Sequence, residues 1–435
     1  MNIRKIALDL LYEYEVGGKY VNLSLSSHQT DKLSGEERAI LTALLYTTVE
    51  HKLTYDYYIS ALSARAVKDI DPYTLNILRL GFCQIVDINS VPDFAAVNET
   101  VKLARNSGER AFINGVLRAA VRKKNDLPMP PPEKNYKRYL SVKYSFPLWI
   151  VKILCQSYGE GATEKMLRYF NTEKYTDITV NTLKITASAL AEKLSACGYD
   201  VEIGELDRAI RIPKSVNPEK LPGFSTGEFF VQDRASLISA YALAANSGET
   251  VIDVCACPGG KSFATAILMG DCGKIYSFDL HESKLPLITD GARRLEIRSI
   301  NAEIQDATVA RPELFGMADK VICDAPCSGL GVLSKKPDLR YKKEESVLAL
   351  PDMQLKILGE SAKYLRTGGE LVYSTCTLNP LENEGVVAKF LEENPNFEAV
   401  PFSVGSLFSD GGGLTLLPHI HHTDGFFMAK LKRTK

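Results

Sequence analysis

After Gln232 the chain alternates short apolar runs with turns and helical stretches. The apolar runs lie at residues 250–254, 274–278, 302–304, 320–323 and 371–373. Strands that alternate with helices in this way pair in parallel, because each connection must cross the sheet before the next strand begins. Residues 231–435 are therefore predicted to form an α/β domain whose mainly parallel sheet carries helices on both faces.

Residues 1–126 have a different pattern, in which apolar side chains recur at helical spacing. Two helix starts can be placed by their capping residues. Ser34 is followed three residues later by Glu37, which is the spacing of a capping box, and Asp71 precedes Pro72. This segment is predicted to be an all-α domain.

Between these two patterns lie a proline-rich segment and a mixed segment. Residues 127–137 contain four prolines. They are predicted to be a linker, because proline lacks a backbone donor and restricts the residue before it. Residues 138–230 combine helical stretches with candidate strands at 178–183, 201–203 and 210–212, which predicts a small α+β connector domain.

Composition and cysteine spacing argue against a membrane protein, a disulfide-stabilised protein and a metal-binding protein. The 435 residues have a net charge of -1, and no apolar run approaches the roughly 18 residues of a membrane span. The chain opens without a signal-peptide core, so we expect a cytoplasmic protein. The nine cysteines are scattered, which predicts reduced thiols rather than a disulfide framework. Cys323 and Cys327 fit zinc spacing only loosely, so we expect no metal.

Basic residues are concentrated near the end of the helical segment. Between residues 101 and 124 they outnumber a single acid, Glu109. They are Lys102, Arg105, Arg110, Arg118, Arg122, Lys123 and Lys124. Taken alone, such a run favours a solvated helix face, although it can also follow a phosphate backbone.

Two cysteines are candidates for nucleophilic chemistry. Cys327 lies in Asp-Ala-Pro-Cys-Ser-Gly, which begins at Asp324, and Cys376 lies in Ser-Thr-Cys-Thr. Both follow predicted strands, at the sheet edge where open α/β domains place their chemistry. A free cysteine is usually a small buried hydrophobe. The loop-forming neighbours Pro326 and Gly329, and the threonines beside Cys376, favour reactive thiols instead.

A glycine-rich turn follows the strand that ends near Val254. It runs from Cys255 to Lys261 and would bring bare backbone to the start of a helix. A Walker A loop needs glycine where Cys255 stands, and a Gly-x-Gly-x-x-Gly dinucleotide fingerprint is absent. Asp279 and Asp306 end the next two strands, where acids can bind a ribose and an adenine. The pattern favours a nucleoside without phosphates, such as S-adenosylmethionine, although each acid alone could cap a helix or form a turn.

A thiol and such a cofactor together indicate one reaction. Carbon 5 of cytosine is too weak a nucleophile to take a methyl group. Addition of a thiolate at carbon 6 turns it into an enamine that can do so. The proton on carbon 5 must then leave before the thiol is expelled. Asp324, beside the ring, could hydrogen-bond nitrogen 3 and the exocyclic amine and so stabilise the adduct.

The motifs together resemble those of the RNA cytosine-5 methyltransferases, the Sun/Fmu/Nop2 group. The resemblance implies a Rossmann-like class I methyltransferase domain in which Cys376 attacks the base and Cys327 assists product release. It assigns cofactor binding to Cys255, Ala256, Cys257, Pro258, Gly259, Gly260, Lys261, Asp279, Asp306 and Asp324. Cys257 stands where the family usually has alanine, a small change that should leave the reaction unaltered.

The resemblance extends to both ends of the chain. Residues 4–12 and 112–118 are similar to helices of NusB, an RNA-binding antitermination factor, and residues 423–427 are similar to the methyltransferases. This fusion resembles bacterial enzymes that methylate one cytosine of 16S ribosomal RNA, at position 967. It implies a cytoplasmic monomer whose partner is that RNA, naked or in an assembling subunit, with residues 102–124 in contact with it.

Two other interpretations are open at this point. The α/β domain could be a relic in a protein that only recruits RNA complexes, although the retained thiols and glycine turn disfavour this. An amine methyltransferase needs no thiol and often has Asn/Asp-Pro-Pro-Tyr/Phe where this chain has Asp324 to Cys327. Neither alternative predicts a covalent complex with RNA.

Overall fold

The computed structural model describes residues 2–17, 33–88, 90–172 and 175–435. Their contacts divide the chain into two units. The first unit consists of residues 1–171 and 336–341, and the second of residues 172–335 and 342–435. Each unit has its own buried apolar core.

The first unit is built from helices. Helices α1 to α9 span Ile3–Gly17, Gly35–Glu50, Lys52–Ser63, Pro72–Val86, Asp93–Val101, Ser107–Arg122, Tyr136–Tyr144, Leu148–Tyr158 and Glu160–Thr172. Ser34 and Glu37 form both hydrogen bonds of a capping box, and the Asp71 side chain accepts from the Thr74 N–H one turn into α4. The predicted all-α fold of the amino-terminal segment is confirmed.

Residues 336–341 belong to the first unit although they lie far along the chain. They include a short 3-10 helix at Pro337–Tyr341, in which Arg340 is fully buried. The Arg340 guanidinium lies 3.9 Å from the centre of the Phe146 ring and donates to Asn171 Oδ1 at 2.8 Å. The predicted α/β domain, 231–435, includes these residues, and the predicted connector, 138–230, includes most of α7 to α9. Their contacts group them with the first unit instead.

A small antiparallel sheet opens the second unit. Strands β1 to β4 span Thr176–Val180, Glu202–Ile203, Ala209–Ile212 and Phe229–Val231, in the order β2-β3-β1-β4, and helix α10 spans Ala187–Ala196. The strand predicted at 178–183 ends earlier, at Val180. There Asn181 turns the chain, because its side chain accepts from the Leu183 N–H at 3.2 Å. The predicted α+β connector fold is confirmed.

The large sheet follows. Its strands are β5 Thr250–Asp253, β6 Lys274–Asp279, β7 Ile300–Ile304, β8 Ala318–Asp324, β9 Leu365–Thr375, β10 Phe397–Ala399, β13 Leu414–Leu416 and β14 Phe426–Arg433. The order is β10-β14-β9-β8-β5-β6-β7, with β13 on β14, while β11 Phe402–Val404 and β12 Leu407–Ser409 form a separate hairpin. The five predicted strands are all present and run parallel. The sequence missed the antiparallel strand β14, which gives no crossover signal.

Helices cover both faces of the large sheet. Helices α11 to α17 span Arg234–Leu243, Gly260–Leu268, Leu285–Leu295, Glu344–Leu348, Leu350–Ala362, Glu384–Glu393 and Pro418–His421. Val251 and Ile252, adjacent in β5, are both fully buried but belong to opposite cores. The predicted α/β fold class is confirmed. Among the residues with described positions, none of the helices has the length and apolarity needed to cross a membrane.

Candidate active site

Four strands end at the same edge of the large sheet, because β5, β6, β8 and β9 are parallel. Asp253, Asp279 and Asp324 are the last residues of β5, β6 and β8. Cys376 follows the last residue of β9. In the pairing of β8 with β9, Asp324 stands opposite Ser374. Candidates from four separate motifs therefore meet at one edge.

Cys327 and Cys376 lie just beyond that pair of residues. Their Sγ atoms are 3.1 Å apart. The hydrogen bond to Cys376, together with burial, raises the pKa of the Cys327 thiol well above its ordinary value. Cys327 therefore keeps its proton at neutral pH and can donate its S–H to a thiolate at Cys376.

Further hydrogen bonds join the two cysteine loops. The Ser328 and Thr377 hydroxyl oxygens are 2.6 Å apart, and the Gly331 N–H donates to the Cys376 carbonyl at 3.0 Å. The Gly425 N–H donates in turn to the Gly331 carbonyl at 2.9 Å. A Cβ atom on Gly331 would lie 1.7 Å from the Gly425 carbonyl oxygen, so this approach requires glycine.

The predicted turn from Cys255 to Lys261 joins β5 to α12. The Ala256 N–H donates to the Phe278 carbonyl in β6 at 2.7 Å. Gly259 has a φ of 107°, a conformation that favours glycine. The turn also contains the predicted residues Cys257, Pro258 and Gly260. The turn is thus hydrogen-bonded to the strand that ends in Asp279.

Lys261 contacts Asp324, an association that the sequence did not reveal. Its ammonium donates to Asp324 Oδ2 at 2.7 Å and to Ser236 Oγ at 3.1 Å. The Ser374 hydroxyl donates to the other oxygen, Oδ1, at 2.7 Å. Both oxygens of the Asp324 carboxylate are therefore fixed. The sequence motifs contain Lys261, Asp324 and Ser374, but their pairing depends on β8 lying between β5 and β9.

The two acids predicted to bind the nucleoside have different surroundings. Asp279 Oδ1 accepts from the His281 N–H at 3.0 Å and lies 3.8 Å from the Lys284 ammonium. Its Oδ2 has no hydrogen-bond partner within the described chain, which leaves an acceptor suited to a ribose hydroxyl. Asp306 accepts from the N–H and hydroxyl of Thr308, and these bonds lower the pKa of Asp306. Asp306 thus also makes the contacts of a turn former.

A buried charged cluster lies at the same end of the second unit. Lys335 Nζ lies 2.7 Å from Asp233 Oδ2 and 2.9 Å from Asp424 Oδ2. Burial, followed by the charge of Asp233, raises the pKa of Asp424 to about 7. The cluster joins the start of α11 to the turn before β14. No group of three or more His, Cys, Asp or Glu side chains in the described part of the chain is arranged to hold a metal ion.

Three family models match the chain. The model for 16S rRNA methyltransferase RsmB/F matches residues 240–432, and the NusB family model matches residues 1–122. The ferredoxin-like domain of RsmF/B-like methyltransferases matches residues 146–219. The resemblances drawn from the sequence motifs are therefore confirmed.

Two named relatives and one solved structure match the chain over nearly its whole length. The probable ribosomal RNA small subunit methyltransferase B of Bacillus subtilis is 36% identical and covers 99% of both chains. The protein of the same name from Synechocystis is 34% identical over 100% of both. A solved structure of PH0851 has a TM-score of 0.79 at 26% identity, over 99% of each chain. A methyltransferase homologue from Pyrococcus horikoshii, with a TM-score of 0.59 at 26% identity, covers 70% of this chain and 100% of its own. The chain belongs to the RsmB/F family of 16S rRNA methyltransferases, which use S-adenosylmethionine as methyl donor.

Proposed function

We propose that this enzyme methylates carbon 5 of cytosine 967 in 16S rRNA through a covalent bond between Cys376 and carbon 6 of the ring. The observation that carries the proposal is the pair of thiols 3.1 Å apart, beside the fixed carboxylate of Asp324. An amine methyltransferase has no use for such a pair, because an amine already has a lone pair that can attack a methyl group.

The two cysteines have different roles in this reaction. The Cys376 thiolate bonds to carbon 6, which makes carbon 5 nucleophilic. Bound S-adenosylmethionine supplies the methyl group that carbon 5 takes. Once carbon 5 has lost its proton to solvent, the bond between carbon 6 and sulfur breaks and its electron pair returns to Cys376. Cys327 donates its S–H to the departing thiolate and so assists release.

Asp324 binds the base, and Lys261 compensates the charge that forms on it. The Asp324 carboxylate is placed beside the thiols, where it can accept a hydrogen bond from the exocyclic amine of a cytosine. It can also accept from nitrogen 3 once that nitrogen is protonated in the adduct. The Lys261 ammonium offsets the charge that develops on the ring as the adduct forms. The glycine turn and the free Oδ2 of Asp279 would hold the adenosyl group of the cofactor, with Asp306 toward the adenine.

Covalent trapping tests this function. Ribosomal RNA that contains 5-fluorocytosine should form a stable complex with the enzyme, because fluorine on carbon 5 cannot leave as a proton does. A Cys327→Ala variant should form the same complex with natural RNA, and Cys376→Ala should abolish both. If Cys327→Ala abolished trapping and Cys376→Ala did not, the two roles would be reversed. If no variant trapped RNA, the covalent mechanism would be wrong.

We also propose that the first unit binds the RNA, through the groove between α5 and α6. Acids pair with Lys102, Arg105 and Lys124. No acid among the described residues pairs with the other four, Arg110, Arg118, Arg122 and Lys123. Phe94, 73% exposed, lines the same groove as Arg118 and Arg122. An exposed aromatic ring beside guanidinium groups that no described acid neutralises suits a stacked base and its phosphates.

The salt dependence of RNA binding tests this groove. Each phosphate contact adds about 0.7 (single strands) to 0.9 (duplex DNA) to the slope of log affinity against log salt. The double variant Arg118→Gln/Arg122→Gln should therefore lower the slope by up to about 2. Lys102→Gln is the matched control, because its ammonium is already paired with Glu99 and should change the slope little. An unchanged slope in the double variant would exclude this groove from RNA binding.

We further propose that the enzyme works as a monomer in the cytoplasm. All nine cysteines are free thiols, which suits a reducing compartment and a thiol-dependent reaction. Light scattering of the active enzyme, with and without RNA, tests the monomer. A dimer at assay concentrations would contradict it.

A further inference from the structure

Glu382 is a buried carboxylate held by hydrogen bonds, and no cation among the described residues pairs with it. Its side chain is 0% exposed, and it lies in the turn between β9 and α16. The Ser328 N–H donates to Oε2 at 2.8 Å, the Gln354 Nε2 donates to the same oxygen at 3.0 Å, and the Asn379 Nδ2 donates to Oε1 at 3.0 Å. Burying a carboxylate costs free energy unless such donors hydrogen-bond it, so all three hydrogen bonds are needed to offset that cost.

Two of these contacts hold the Cys327 loop on both sides of its thiol. Ser328, which follows Cys327, donates directly to Glu382. Gln354 Nε2 also donates to the carbonyl of Pro326, the residue before Cys327, at 2.9 Å. Because a carbonyl can only accept, this second bond fixes the orientation of the Gln354 amide. The positions of the peptide groups on both sides of Cys327 therefore depend on the Glu382 carboxylate.

The third contact holds the Cys376 loop. The side chain of Asn379 binds Glu382, and its backbone N–H donates to Thr377 Oγ1 at 3.3 Å. The backbone carbonyl of Glu382 also accepts from the Tyr373 hydroxyl at 2.6 Å, in β9. One residue thus touches the supports of both thiols.

We propose that Glu382 is a positioning residue whose carboxylate ties the two cysteine loops together and sets the distance between the Cys327 and Cys376 sulfurs. The roles of these thiols rest on the proposed function, whereas their spacing does not. Cys376 directly follows β9, which is hydrogen-bonded to β8 and β14. Cys327 lies in a loop beyond the end of β8, without that support. Loss of the tie therefore displaces Cys327 more than Cys376, and slows product release more than attack.

The substitution Glu382→Gln tests the tie with almost no change of shape. It replaces the acceptor oxygen that faces Asn379 by an NH₂ group, so that two donors meet. The Asn379 amide cannot turn its own oxygen toward that group without losing the bond that its Oδ1 accepts from the Leu381 N–H at 3.3 Å. Adding Asn379→Asp should restore the tie, because an acceptor then faces the new amide. Glu384→Gln is the matched control, since Glu384 is an exposed carboxylate two residues away and outside both loops.

Two measurements separate positioning from a merely structural role. In single turnovers, Glu382→Gln should slow RNA release from the adduct about tenfold, the size expected for one buried hydrogen bond. Adduct formation and binding of S-adenosylhomocysteine should stay near wild type. The second measurement needs no RNA. Diamide takes one hydrogen atom from each thiol, becomes a hydrazine and leaves a Cys327–Cys376 disulfide, whose formation rate is followed by peptide mass spectrometry. That rate should also fall about tenfold.

Asn379→Asp on the Glu382→Gln background should restore both rates, and Glu384→Gln should change neither. A wild-type rate of disulfide formation in Glu382→Gln would overturn the inference. A slowed disulfide with no adduct in any variant would leave the positioning role standing and overturn the covalent mechanism instead. If thermal melts show that Glu382→Gln does not fold, Gln354→Leu replaces it. That change removes the donor to both Glu382 and Pro326, and an unchanged disulfide rate in it would equally overturn the inference.

Discussion

Replacing Lys261 by methionine removes the ammonium bound to Asp324 and keeps a side chain of similar length. If Lys261 acts through Asp324, the variant should transfer methyl groups slowly but bind cofactor normally. If Lys261 binds the cofactor, as its place in the glycine turn first suggests, the affinity for cofactor should fall instead. The first role therefore predicts a lower rate of methyl transfer at unchanged cofactor affinity, and the second a lower cofactor affinity at an unchanged rate.

The contact itself gives the size of the effect. Lys261 Nζ lies 2.7 Å from Asp324 Oδ2, and the two side chains are 10% and 30% exposed. A hydrogen bond to a charged group contributes about 1.5–3 kcal/mol. Since about 1.4 kcal/mol corresponds to a factor of ten in rate, methyl transfer at saturating cofactor should fall about 10- to 150-fold.

Single-turnover transfer of a labelled methyl group measures the rate, and calorimetric titration with S-adenosylhomocysteine measures the affinity. Lys284→Met is the matched control. The Lys284 ammonium lies 3.8 Å from Asp279 but is 48% exposed, so solvent screens the pair and the change should matter little. A weakened affinity in Lys261→Met, with a wild-type rate at saturating cofactor, would refute the role through Asp324.

Two further predictions concern the strand ends. Gly331→Ala should sharply lower methylation, because its Cβ would lie 1.7 Å from the Gly425 carbonyl oxygen, whereas Gly359→Ala meets nothing within 4 Å and should stay active. Equal activity of these two variants in a methyl-transfer assay would contradict the close approach. Burial raises the pKa of Asp253 from 3.8 to about 7, so between these values the folded chain keeps a proton that the unfolded chain has lost. As pH rises through that interval, the free energy of unfolding should therefore fall in the wild type relative to Asp253→Asn, by at most about 4 kcal/mol, and parallel curves would contradict the shift.

Local sequence signals predicted much of the fold. The capping residues Ser34 and Asp71 begin helices where expected, because each makes its hydrogen bond within one turn of chain. The five strands of the parallel sheet were found because each is an apolar run bounded by polar or glycine-containing turns. The acids at their ends could be placed together because parallel strands share one carboxyl edge.

What the sequence did not predict depends on partners distant in the chain. Arg340 is buried in the first unit against Phe146, a contact between residues with no common periodicity. The pairing of Lys261 with Asp324 requires β5 to neighbour β8, and nothing in either motif gives the strand order. Glu382 lies in a polar segment that looks like an ordinary turn, and only the structure brings Ser328 and Gln354 to it.

The strand order explains why three distant segments meet at the thiols. β8 and β9 are adjacent and parallel, with Asp324 opposite Ser374, so residues a few positions beyond each of them leave the sheet at the same edge. β14 lies on the other side of β9 and runs in the opposite direction, with Phe427 opposite Thr375. Its first residues therefore lie at that edge, and the turn that holds Gly425 reaches the cysteine loops from the amino-terminal end of its strand. Because β14 is antiparallel, the turn that precedes it lies at the edge where the cysteine loops leave the sheet. A parallel strand in its place would bring to that edge only the residues that follow it.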